Sequence, residues 1–205
     1  INYLIWTKMW SDNVRKNKYK INYLSKIPIE DTFHKKKEIK SIKKILIILN
    51  KKDNIGQKNW ELFSNFYLKE FKENNSYNIT FKVHPRGDLV YSKSFFHGFN
   101  VIKGDVEVNE FDLILSHWST FVYDAALNGI PFILINPENR FDYKKWRLSH
   151  YPFIVKNSRE LFDTINFIKS GNANINDIMD DFLDATLGKN RNEALKKLES
   201  ILLNQ

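Results

Sequence analysis

Apolar residues alternate along this chain between two styles. From Ile42 onward, short unbroken runs such as ILIIL (Ile45 to Leu49) are separated by longer stretches that turn apolar every third or fourth position. An unbroken run of five is what a parallel strand covered on both faces requires, because neither face meets water. The stretch WELFSNFYLKEFKE, Trp60 to Glu73, sets Trp60, Phe63, Phe66 or Tyr67, and Phe71 near one stripe, which predicts an amphipathic helix. The same reading predicts strands at NITFKV (78–83), more weakly at FNVI (99–102), strongly at DLILS (112–116), then at PFILIN (131–136) and near PFIV (152–155). Further helices are predicted at STFVYDAALNG (119–129), SRELFDTINFIKS (158–170) and RNEALKKLESILLNQ (191–205). Strands alternating with helices imply right-handed crossovers, hence an α/β fold with a Rossmann-like, doubly wound parallel sheet.

Residues 1–41 do not share this pattern. They mix aromatics with lysines, show no strong period, and run into the charged stretch Lys35 to Lys44. The expected organisation is therefore the end of a preceding domain plus a linker at 1–41, and an α/β domain at 42–205. No internal repeat stands out. The 205 residues, 42% hydrophobic and 15% aromatic, suffice for a packed core.

Composition narrows the functional classes. Zero cysteines exclude disulfides and thiolate metal sites and fit a reducing, cytoplasmic setting. No apolar run reaches the roughly 20 residues that cross a bilayer, and the first residues lack the features of a secretory signal. The net charge of +8 is spread out, with clusters at Arg15 to Lys20 and His34 to Lys44. No nucleic-acid-binding module accompanies it, so no nucleic-acid partner is expected. The basic linker instead suits a peripheral seat on an anionic inner membrane face.

Ligands of an open parallel sheet sit beyond the carboxyl ends of its strands. Three polar loops fall there: NKKDNIGQ, HPRGD and SHWST. Ser119 or Thr120 would open the helix that ends at Gly129, where hydroxyls and free backbone N–H groups suit a phosphate. The same residues serve equally as plain caps. Pro85 restricts the backbone of His84, directing the imidazole over the strand ends, beside that helix if the strand order is the usual one. Arg86 adds charge suited to a phosphate clamp or to a surface ion pair. Asn136, Glu138 and Asn139 lie on the same rim or simply make a turn. No Walker-type loop and no GxGxxG follows the first strand, and no acidic pair has metal-ligand spacing.

Taken together, KVHPRGD and FDLILSHWSTFVYDAALNGIPFILINP resemble the C-terminal, nucleotide-binding half of GT-B glycosyltransferases over about Ile42 to Ile168. Two groups look most similar. One is the CDP-glycerol glycerophosphotransferases, with a His-Pro pair and a stretch of the type S-D-Y-S-S-V-x-F-D, here Ser116 to Asp124. The other is the HP-motif bacterial sialyltransferases and polysialyltransferases. The resemblance implies a metal-independent transferase of surface-polysaccharide synthesis that uses no cofactor. Its donor would be CMP-, CDP- or UDP-linked, with cytidine favoured, and its acceptor a glycan or a lipid-linked glycan. His84 would be the catalytic phosphate contact, a cationic imidazole. Pro85, Arg86, Ser116, His117, Ser119 and Thr120 would line the nucleotide phosphate, and Asp124 would accept from ribose hydroxyls. His117 replaces the family's acid and would bring a second cation to the phosphates. The general base would lie in the other domain. A polyol-phosphate transferase with the same clamp and a noncatalytic binding domain of the same fold are the alternatives. A sugar 2-epimerase fits less well, because a glycine pair and two adjacent acids would stand where this chain has Ser119-Thr120 and Tyr123-Asp124.

Overall fold

The computed structural model describes residues 2–5, 20–23, 39, 41–72, 76–146, 148–171 and 174–188. The helix expected at 191–205 and the basic residues at 15–18 and 34–37 lie outside them. The chain divides into two compact units. One comprises 1–34, 142–151 and 177–205, the other 35–141 and 152–176.

In the first unit β1 (Asn2–Ile5) pairs in parallel with β2 (Lys20–Tyr23), in the register Asn2 to Lys20. Tyr151 meets Phe182 of α6 (Ile175–Thr186) at 5.6 Å between ring centroids. Helix α6 was not anticipated, although Met179, Phe182, Leu183 and Thr186 are buried at helical spacing.

The second unit carries a six-stranded, wholly parallel sheet. Its strands are β3 (Lys44–Ile48), β4 (Asn78–Val83), β5 (Asn100–Lys103), β6 (Leu113–Ser116), β7 (Phe132–Ile135) and β8 (Ile154–Val155). They lie in the order β5-β4-β3-β6-β7-β8. Counted from β3 this is the doubly wound order, and the sheet reverses direction at the first strand. Strand β3 is central: Ile48 stands in register with Lys82 on one side and with Ser116 on the other. Ile45, Leu46 and Ile47 are wholly buried, as the unbroken apolar run predicts.

Helix α1 (Lys52–Ile55) is a single turn. Gly56 then leads into α2 (Gln57–Phe71), which buries Trp60, Phe63, Ser64, Tyr67 and Phe71. Of the two residues the periodicity left open, Tyr67 is the one packed inward. The ring of Phe81, on β4, stacks on Phe96 at 4.0 Å and meets Tyr67 edge-on at 6.3 Å. A short helix α3 (Leu89–Phe95), unseen in the sequence, follows β4. Its N-cap Asp88 accepts from the Tyr91 amide at 2.9 Å. Helix α4 (Phe121–Leu127) ends in a Schellman motif: Ile130 N–H reaches Ala125 O at 2.9 Å and Gly129 N–H reaches Ala126 O at 3.1 Å. Gly129 sits at φ +69°, the left-handed conformation that this motif assigns to a glycine. Helix α5 (Ser158–Lys169) covers the sheet's far end, with Leu161, Ile165 and Ile168 inward.

At the amino rim of the sheet, the carboxylate of Asp112 accepts from the backbone amides of both Lys43 and Lys44 at 3.0 Å. This ties the entry of β6 to that of β3. Asp112→Ala is expected to lower stability by about 1 kcal/mol in urea titration with an unchanged m-value, because two exposed amides lose a charged acceptor.

Candidate functional site

His84 follows β4 and opens a tight turn. Gly87 N–H donates to His84 O at 2.7 Å, with Pro85 and Arg86 at the two corners. Proline suits the first corner and glycine the exit. A Cβ on Gly87 would lie 2.8 Å from Val83 Cγ1 and 3.1 Å from His84 O, so only glycine passes there without displacement. The imidazole joins the turn as well, since its Nδ1 accepts from the Arg86 amide at 3.1 Å. That bond leaves the ring proton on Nε2.

Partial burial, then the positive charges of Arg86, Lys51, Lys82 and Lys103, hold the His84 pKa below the ordinary histidine value. The neutral form of the imidazole is thereby favoured beside these four cations. Burial first, and then the like charges nearby, disfavour the protonated form in the free protein. Two of these cations cap backbone carbonyls, Lys103 Nζ at Gly87 O (2.9 Å) and Lys82 Nζ at Gly104 O.

The loop after β6 departs further from expectation. His117 is buried, stacked on Phe63 at 4.6 Å and tilted against Phe141 at 5.0 Å. Burial drives its pKa down to about 3, so it is a neutral part of the core and supplies no cation to a phosphate. Ser116 is also fully buried, and its Oγ has no hydrogen-bond partner. It belongs to the end of β6 and not to an open rim. Ser119 Oγ accepts from the Phe121 amide at 3.2 Å, while Thr120 is exposed and its side chain makes no cap bond. Asp124 lies on α4, and burial pushes its pKa above the ordinary carboxylate value.

His84 and Ser119 are not neighbours in the sheet. β3 lies between β4 and β6, so their loops leave strands about 10 Å apart, two inter-strand spacings. Two contacts span that interval. Asn50 Nδ2, just past β3, donates to Trp118 O at 2.9 Å, and Lys82 Nζ stands 5.9 Å from the Phe121 ring centre. Asn136 is consumed in its own turn: its amide donates to Phe141 O and accepts from Phe141 N, each at 3.0 Å. Glu138 pairs with Arg140, and Glu138 and Asn139 both take positive φ.

Lys51, Lys82 and Lys103 were not singled out in the sequence, because lysine is common throughout it. Only the strand order shows that three strand ends deliver them to one imidazole. The position of the NKKDNIGQ loop directly after the first strand was the available signal.

No protein-family model and no curated protein matches the sequence. Solved structures do resemble the fold. UDP-GlcNAc 2-epimerase from Neisseria meningitidis, bound to UDP-GlcNAc, matches with a TM-score of 0.52 at 12% identity, over 80% of this chain and 45% of that one. A point mutant of S. aureus TarM, in complex with fondaparinux, α-GlcNAc-glycerol and UDP, matches with a TM-score of 0.53 at 12% identity, over 96% and 43%. The chain thus spans less than half the length of either, and the likeness is one of fold: a GT-B-like, Rossmann-type sheet.

Two outcomes test this description. The neutral state of His117 is favoured in the fold, so stability should be complete above the unfolded-state value near 6.5 and decline as pH falls toward about 3. The slope approaches roughly 1.4 kcal/mol per pH unit, and His117→Phe should flatten it in pH-resolved urea titrations. Gly87→Ala should destabilise by about 1–3 kcal/mol on thermal or urea unfolding, through the clash with Val83 and His84.

Proposed function

We infer that the chain is the donor-binding half of a metal-independent GT-B glycosyltransferase, which moves a sugar from a nucleotide-activated donor to a glycan acceptor in surface-polysaccharide synthesis. The observation that carries this reading is the gathering of Lys51, Lys82, Arg86 and Lys103 around the His84 turn on the carboxyl rim of a doubly wound sheet. Cations gathered around an imidazole that can still take a proton suit an incoming phosphate. The likeness of fold to structures bound to UDP-GlcNAc and UDP supports the same reading.

In this reading His84 Nε2–H donates to a donor phosphate oxygen. As negative charge grows on the departing nucleotide, the imidazole and the surrounding cations meet it without reorganisation. Arg86 adds charge at the turn held by Pro85. The hydroxyls of Ser119 and Thr120 reach the phosphate from the β6 side, and Asp124 accepts from the ribose. His117 and Ser116, both buried, have no part. The general base that activates the acceptor is assigned to the other domain, and a seat at the membrane face to the basic linker within 1–41. Among the described residues no helix is long and apolar enough to cross a membrane.

A panel of UDP, CDP and CMP, followed by thermal shift and calorimetry, tests the proposal. At a hundredfold excess over Kd the nucleotide that fits should stabilise the chain by about 2.7 kcal/mol. His84→Ala and Asp124→Asn should each weaken binding about tenfold, on the order of one charged hydrogen bond. Phosphate raises the lowered His84 pKa, so affinity should climb as pH falls below the ordinary histidine value of 6.5, and His84→Ala should abolish the climb. A chain that answers to none of the nucleotides is a noncatalytic binding domain.

A further inference from the structure

One cavity adjoins the proposed donor grip and shares Lys51 and Arg86 with it. It lies between the loop leading from β3 into α1 and the turn leading from β4 into α3, and holds about 310 Å³. Lys51, Lys52, Arg86, Trp60 and Tyr91 line it, and no residue of the loop after β6 does. Its size is at the small end of ligand pockets, enough for one sugar or polyol unit and too small for a nucleotide-sugar.

Its chemistry is cationic and aromatic. Lys52 Nζ stands 4.2 Å from the Tyr91 ring centre and 5.4 Å from that of Trp60, and the two rings are 5.5 Å apart. The ring faces hold the ammonium in place without neutralising it. Lys51 pairs with Asp53, and the Asp88 carboxylate is engaged at the α3 N-terminus. Among the described residues Lys52 and Arg86 have no carboxylate partner. Tyr91 is 39% exposed and the adjoining Val90 80% exposed, so an apolar lip borders the cations. A carbohydrate ring lying against such a lip can direct an anionic group at Lys52, while its hydroxyls face the Asp53 and Asp88 carboxylates that also line the cavity.

We propose that this cavity is a second anion subsite, which binds a phosphate or carboxylate carried on a sugar or polyol unit of the acceptor. The cavity itself stands on its own geometry, whereas its assignment to the acceptor rests on the donor reading above. The acceptor of this transferase is then an anionic glycan or polyol-phosphate chain, and its charge positions it beside the donor.

Calorimetric titration of the 205-residue chain with glycerol 3-phosphate, glycerol and inorganic phosphate, each with and without saturating UDP, tests the idea. Glycerol 3-phosphate should bind at least tenfold more tightly than glycerol or inorganic phosphate, more weakly at higher salt, and alongside UDP. Lys52→Ala should weaken it about tenfold and leave UDP affinity unchanged, and Lys52→Arg should restore it. Displacement by UDP would make the cavity part of the donor grip and overturn the proposal. Equal binding of inorganic phosphate, or indifference to Lys52→Ala, would overturn it as well. Failure of the donor reading looks different: UDP would not bind, while Lys52-dependent binding of glycerol 3-phosphate would persist, leaving the anion subsite and removing only its acceptor role.

Discussion

The burial of β3 on both faces constrains everything else in the sheet. A strand packed under helices on each side can carry only apolar side chains along its length, and Ile45, Leu46 and Ile47 have no exposure at all. Polar chemistry is thereby pushed to the strand's ends. The strand is also central, and the chain winds outward from it in both directions. The loops of three strands consequently deliver Lys51, Lys82 with His84, and Lys103 to one region of the carboxyl rim, although Lys51 and Lys103 lie far apart in the sequence.

Much of the fold was legible because burial on two faces leaves a plain signature. Each unbroken apolar run became a strand, including the weak one near Val101, and the stripe from Trp60 to Phe71 became α2. The misses have physical causes. Helix α3 is seven residues long and exposes Val90 and Tyr91, so it lacks the apolar stripe by which helices are recognised, and its one clear sign is the capping Asp88. Helix α6 had a readable stripe in Met179, Phe182, Leu183 and Thr186 that was passed over, among several acidic residues.

The site was less legible than the fold. The turn at HPRGD is legible, since a proline and a glycine beside a histidine favour a tight turn. The sequence did not tell a histidine facing solvent from one facing phenylalanines. His117 reads as polar in a polar loop, yet Phe63, far back along the chain on α2, and Phe141 close over it. Nor did it convey the charge state of His84, which depends on lysines brought close only by strand order. Side-chain identity announces a candidate; the neighbours assembled by topology decide its protonation.

The Asp112 clamp and the His84 turn sit on opposite rims of the sheet. One rim fastens strands through main-chain amides, while the other exposes loops whose side chains face outward. Evolution can therefore exchange residues on the ligand-facing border with little effect on the seam that holds the layers in alignment. A scaffold arranged in this way can acquire new chemical preferences while its architecture stays constant, even as sequence similarity among its users fades.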